Sequence, residues 1–176
     1  MKTVEGMLKE IYKHSLEMLK HGETKNAALI SFNGVIVILL IKMAVDFKDH
    51  WFLFYYFLFT IAVCCISIFL GLSSLVAQLK DYGDDLDLPP DANLLFFGNV
   101  AHFTPDDLID SIKIRYGLAS KDDNYERDLA RSVVITAQIA KRKHRTFNAA
   151  IAWTFSGIAT PLSVLVYHYF FNPNRK

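Results

Sequence analysis

The segment Arg131–Phe171, RSVVITAQIAKRKHRTFNAAIAWTFSGIATPLSVLVYHYFF, changes character in its middle. Up to Thr146 it reads as a charged amphipathic helix. From Phe147 to Phe171 it is apolar. Lys141, Arg142, Lys143, His144 and Arg145 form a basic collar at the change. Nothing breaks the helical pattern before Gly157. A helix that carries such a collar and then loses its charges is one that leaves water for lipid.

The rest of the chain agrees with that solvent. Of its 176 residues, 52% are hydrophobic and 14% aromatic, which is rich for a water-soluble protein of this size. Three windows are nearly free of charge: residues 27–45, 51–79 and 147–171. Each is close to or above the roughly 20 residues that a helix needs to cross a bilayer. A formal net charge of +1 argues against binding a nucleic-acid polymer in bulk. Window 27–45 follows a polar-rich stretch with no small-residue cleavage pattern, so it reads as a span rather than a secretory leader. Lys42 lies near its end and can snorkel to the headgroups. Asn33 and Gly34 lie deeper and read as helix–helix packing with an interhelical hydrogen bond. Cys64 and Cys65 are adjacent within the second window and read as small apolar fillers.

The link Asp46–His50 is too short for anything but an antiparallel hairpin. Three spans then leave residues 1–26 and 80–146 on one side and the tail 172–176 on the other. Lys2, Lys9, Lys13, Lys20 and Lys25 lie on the first side, with the many basic residues of 80–146. Lys48, Arg175 and Lys176 lie opposite. The excess of lysine and arginine assigns the first side to the cytosol. Trp51, Phe54, Tyr55 and Tyr56, and Tyr167 and Tyr169, suit interfacial aromatic belts.

The polar segments read as helices. Val4, Leu8, Ile11, Ser15 and Leu19 recur at helical spacing, and the near-balanced charge around them favours packing on protein over lying on a membrane. Residues 81–92, DYGDDLDLPPDA, read as a solvated acidic turn without the ligand spacing of a calcium loop. Thr104-Pro105-Asp106-Asp107 is a helix start, with a capping hydroxyl, a proline at the first position and acids at the positive end of the dipole. Gly117 is its stop. Ser120 to Asp123 opens a long last helix over roughly 120–171, with Tyr125, Leu129, Val133, Thr136, Ala140 and Phe147 on one face. Pro161 predicts a kink within it.

No catalytic motif is present: the chain has no G-x-S-x-G, HExxH, Walker loop or CxxC pair. The reading is therefore not an enzyme, with no metal and no cofactor. A binding site for an anionic small molecule fits better. Candidate contacts are Asn93, Asn99 and His102, with Arg115, Arg127 and Arg131; Lys141 and Arg142 are further basic residues for the same purpose. Small residues at four-residue steps, Ser67 and Gly71, and Ala152, Ser156 and Thr160, permit close helix approach in lipid.

Four blocks, in order, carry a resemblance: KNAALISFNGVIVILL entering the first span, the long aromatic second span, LPPDANLLFFGNVAH, and DLARSVVITAQIAKRKHRTFNAAIAW. With these the chain resembles the transmembrane effectors of Pycsar, a bacterial antiphage system. The resemblance implies an effector that senses a cyclic pyrimidine mononucleotide, cCMP or cUMP, made by a companion cyclase on phage infection. It implies impairment of the inner membrane, with growth arrest or cell death. The expected fold is an all-α membrane protein with three transmembrane helices and a small helical cytosolic domain, the last helix continuous from one to the other. The expected parts are an amphipathic helix at 1–26, spans at 27–45, 51–79 and 147–171, and a sensor region at 80–146. The expected site is a multi-pass homo-oligomer in the inner membrane, in contact with lipid. The residues alone also leave open a non-gated structural or partner-recruiting small membrane protein.

Overall fold

The computed structural model describes residues 3–75, 93–121 and 123–171, with the side chains of 161, 162 and 164–171 excepted. The acidic turn read over 81–92, the Tyr167 and Tyr169 belt and the tail cations lie outside what is described. Helix α1 spans Val4–Asp46, α2 Trp51–Ser73, α3 Phe97–Val100, α4 Pro105–Tyr116 and α5 Asn124–Phe171. The described residues contain no strand, only one isolated parallel bridge between Thr3 and Ala119.

The local chemistry explains the helix ends. Thr3 Oγ1 accepts from Gly6 N at 3.2 Å and starts α1. Thr104 Oγ1 accepts from Asp107 N at 3.2 Å, with Pro105 at the first position of α4. Gly117 ends α4 at φ 60°, the left-handed conformation that a Cβ makes costly. Asp123 Oδ1 accepts from Glu126 N at 2.9 Å and starts α5.

The chain divides into two compact units, Met1–Thr24 with Ala77–Arg145, and Lys25–Val76 with Thr146–Lys176. The first unit has its own apolar core. Val4, Leu8 and Ile11 of α1 meet Leu94 and Val100, Leu108 and Ile112 of α4, and Val133 and Ala137 of α5, all buried. This is the protein packing that the amphipathic pattern of α1 favoured. One expected core position moves by a residue. Tyr125 is 53% exposed with Lys9 Nζ 5.7 Å above its ring, and Glu126 takes the buried place. The Glu126 carboxylate can be buried because it accepts from the Ser120 hydroxyl and from Lys121 N. On the surface of the same unit, a hydrogen bond from Lys9 holds the Glu5 carboxyl below its ordinary range.

The second unit is built from α2 and the matching parts of α1 and α5. Asn26 meets Ser74 and Asn33 meets Ser67, so α1 and α2 run antiparallel. Ser67 meets Ala150 and Thr60 meets Gly157, so α2 and α5 run antiparallel as well. Lys25, Leu75 and Thr146 therefore lie at the same end of this unit. Gly71 and Gly157 permit the close approach. A Cβ on Gly71 would lie 2.9 Å from Ile30 Cγ1, and one on Gly157 2.8 Å from Val63 Cγ1. The outer surface is apolar, with Ile38, Trp51, Phe69 and Phe155 all exposed.

Among the described residues, two helices, α1 and α2, are long and apolar enough to cross a membrane. Only 17% of the apolar window in α1 and 28% of that in α2 is buried, so neither is a core helix covered by its own chain. The expected helix at 1–26 and span at 27–45 both fall within α1, one helix of 43 residues. No proline interrupts it, and Asn26 turns its side chain sideways to Ser74 instead of capping a new start.

Candidate functional site

The segment before α4 is a tight turn stapled by its own asparagines. Asn93 Oδ1 accepts from Leu95 N at 2.9 Å, which is the local bond that favours asparagine in turns. Asn99 Nδ2 donates to Asn93 O at 3.3 Å, and Phe96 N donates to the same carbonyl at 3.2 Å. Leu94 anchors this turn in the core, fully buried.

Three side chains of α5, at three-residue steps, receive the turn. Gln138 Nε2 donates to Ala101 O at 3.1 Å. Lys141 Nζ contacts His102 Nε2. The His144 ring lies 5.3 Å from the Phe97 ring, inclined by 33°. Residues three apart share one side of a helix, so these contacts form a single strip. The strip is also held from α1. His144 Nε2 lies 3.3 Å from Met18 O, and Lys143 pairs with Glu23. Gly22 is buried in this contact, where a Cβ would lie 3.6 Å from Lys143 Cβ.

Among the expected site residues, Asn93, Asn99 and His102 come together on this turn. The three arginines are distributed elsewhere. Arg127 is 3.6 Å from Asp106 at the start of α4. It lies 14 residues before Lys141, about 21 Å along α5. Arg131 is exposed and about 15 Å from Lys141 by the same rise. Arg115 is exposed in the last turn of α4, nine residues and roughly 13 Å beyond Asp106.

The local chemistry at the turn suits a small anion beside a flat group. Lys141 supplies an ammonium, and His102 a ring nitrogen whose role depends on its tautomer. Phe97 and His144 supply ring faces. Gln138, His144 and Phe97 were not among the candidate contacts read from sequence. The signal available was the three-residue spacing of 138, 141 and 144, visible only once the turn has a place to dock.

Of the residues expected to pack in lipid, Asn33, Ser67 and Gly71 are buried in the second unit. Asn33 Nδ2 donates to Ser67 Oγ at 2.9 Å and to Thr154 Oγ1 at 3.0 Å. Ser67 Oγ donates to Ala150 O at 2.7 Å. Gly34 faces open space, and Ala152, Ser156 and Thr160 are exposed. Among the described residues, the buried positions of α5 within the unit are Ala150, Thr154 and Gly157.

No curated protein and no solved structure matches this chain. The Pycsar effector protein domain, PycTM, matches residues 7–170. That match runs through both compact units and nearly the whole sequence, so the chain belongs to the Pycsar effector family.

Proposed function

We propose that this chain is a membrane effector of antiphage defence that binds a cyclic pyrimidine mononucleotide, cCMP or cUMP, and then impairs the bacterial inner membrane. The nucleotide comes from a companion cyclase and binds at the turn Asn93–Phe103 and its strip on α5. The phosphate takes Lys141 and His102, and the base takes a ring face. Arg115, Arg127 and Arg131 are the alternative cationic contacts.

The observation that carries this reading is the unbroken course of α5. The same helix holds the turn through Gln138, Lys141 and His144 and holds the apolar unit through Ala150 and Thr154. A ligand that favours one placement of the collar acts on the helix that continues into the apolar unit. It shifts the protein only by its difference in affinity between the two arrangements. The antiparallel order of α1, α2 and α5 supports three spans, with residues 1–26 and 80–146 together in the cytosol. The effector acts as a homo-oligomer, since three helices of one chain cannot line a wide lesion.

Calorimetric titration of the detergent-solubilised protein with cCMP, cUMP, cAMP and cGMP tests this. Saturable binding of a pyrimidine nucleotide, with depolarisation of cells that produce it, is the expected result. Binding of none of the four overturns it.

A further inference from the structure

Along α2, Thr60, Ser67 and Ser74 recur at steps of seven, and all are buried. Seven residues rise about 10.5 Å, so these hydroxyls mark one line over roughly 21 Å of the helix. That is about two-thirds of a hydrocarbon core. Each meets oxygen or amide groups of the neighbouring helices. Ser74 Oγ accepts from Asn26 Nδ2 at 3.0 Å. Ser67 meets Asn33, Thr154 and Ala150 O. Thr60 Oγ1 lies 3.4 Å from Gly157 O. Position 26 pairs with 74 and 33 with 67, and the next step on α1 is Leu40. The α1 side of the seam is therefore polar at the Lys25 end and apolar at the other.

At the centre of the seam several acceptors compete for one proton. Thr154 has one hydroxyl proton and three acceptors in reach: Ser67 Oγ at 2.9 Å, Ala150 O at 3.2 Å and Asn33 Oδ1 at 3.3 Å. Asn26 is fully buried, and its Oδ1 has no hydrogen-bond partner among the described residues. A buried acceptor left alone costs on the order of 1–3 kcal/mol. That oxygen sits at the end of the seam where Lys25, Leu75 and Thr146 also lie. An uncharged line of hydroxyl, carboxamide and carbonyl oxygens has the ligand chemistry of water and monovalent cations.

We propose that the Thr60–Ser67–Ser74 seam is a latent path for water and monovalent cations, closed by Asn33 and Thr154 at rest and opened when the nucleotide acts. This rests on the reading of the chain as a membrane-impairing effector. It places a narrow ion path in this seam, within each protomer of the oligomer, rather than on the outer apolar surface or in disordered lipid.

The test begins with full-length protein in which Cys64 and Cys65 are replaced by alanine. Thr60→Cys and Ser67→Cys probe the seam, and Phe69→Cys probes the exposed surface. Cells are treated with a membrane-impermeant, positively charged thiosulfonate while the companion nucleotide is supplied. The seam cysteines should react only when the nucleotide is present, with loss of depolarisation, and Phe69→Cys should not react. Depolarisation with neither seam cysteine reacting overturns the proposal. A cysteine variant that does not fold is bypassed with the unmodified protein in liposomes under a potassium chloride gradient. There the nucleotide should drive the reversal potential toward that of potassium. A shift toward chloride, or release of large dyes without selectivity, overturns the seam but leaves the effector reading standing. Absence of any nucleotide-triggered depolarisation overturns both.

Discussion

Asn33 and Thr154 lie 121 positions apart in sequence and 3.0 Å apart in space, joined by an amide hydrogen bond in a fully buried setting. Ser67 closes the triangle, 2.9 Å from each. Three helices are thus fixed in register at one level by one carboxamide and two hydroxyls. A leucine at any of the three places would fill space but would not specify which turn of one helix faces which turn of the next.

That relationship predicts non-additive stability. Asn33→Ala leaves Ser67 and Thr154 bonded to each other and to Ala150 O, so its loss is modest, about 1 kcal/mol. Thr154→Val leaves one Asn33 amide hydrogen without its acceptor. The double variant removes that orphan along with its source. Unfolding in detergent, followed by circular dichroism, should give a double-variant loss smaller than the sum of the singles by about 0.5 kcal/mol or more. Strict additivity would show that the three groups do not act together.

The glycines separate by what surrounds them. A Cβ on Gly157 would lie 2.8 Å from Val63 Cγ1 and 3.1 Å from its Cβ, while one on Gly34 meets nothing within 4 Å. Gly157→Ala should lower the thermal midpoint, and Val63→Ala should restore part of it. Gly34→Ala should raise stability by about 0.5–1 kcal/mol, the usual gain for replacing a helical glycine. Equal effects at the two positions would contradict this packing.

Much of the fold was legible because it follows from local rules. Thr104, Pro105 and Gly117 bracket α4 as their chemistry dictates. The passage of the last helix from one unit into the other was legible because no proline or glycine falls between Asn124 and Ser156. The composition change near Asn26 falls beside the boundary between the two units, while the helix itself runs on through it. Glu126 was hidden because a carboxylate enters a core only when its partners, here Ser120 and Lys121, are in place. The candidate site was half legible. Asn93, Asn99 and His102 share one short turn and could be grouped by sequence. Which cations join them depends on how the turn docks on α5, which no spacing rule encodes.

The docking contact gives Lys141 the largest expected effect on nucleotide binding. Lys141→Ala should weaken it at least about tenfold, near 1.4 kcal/mol. Arg127 is engaged by Asp106, and both are well exposed, so Arg127→Ala should change affinity by less than about threefold. Titration of both variants with the nucleotide that the wild type binds decides between them. A larger loss at Arg127, Arg131 or Arg115 would move the anion site away from the Asn93–Phe103 turn.

Transmission along α5 makes two demands, a close approach by another protomer and an uninterrupted helix. Ser156 is exposed on that helix, one turn beyond Ala152 and one before Thr160, while Thr154 and Gly157 face the unit's interior. A bulky residue at 156 therefore leaves the packing within one protomer alone and obstructs only a close approach by another helix. Ser156→Leu should keep the thermal midpoint and nucleotide affinity of the wild type. It should reduce crosslinking between protomers and abolish toxicity. Thr146→Pro attacks the other requirement. Proline there removes one bond of the helix ladder and clashes with the preceding turn, at a cost of roughly 3 kcal/mol. It falls between the residues that hold the turn and those that hold the apolar unit. Nucleotide binding should survive in this variant while membrane depolarisation is lost. If both variants depolarise cells as the wild type does when the nucleotide is supplied, neither helix continuity nor association of protomers through this face carries the signal.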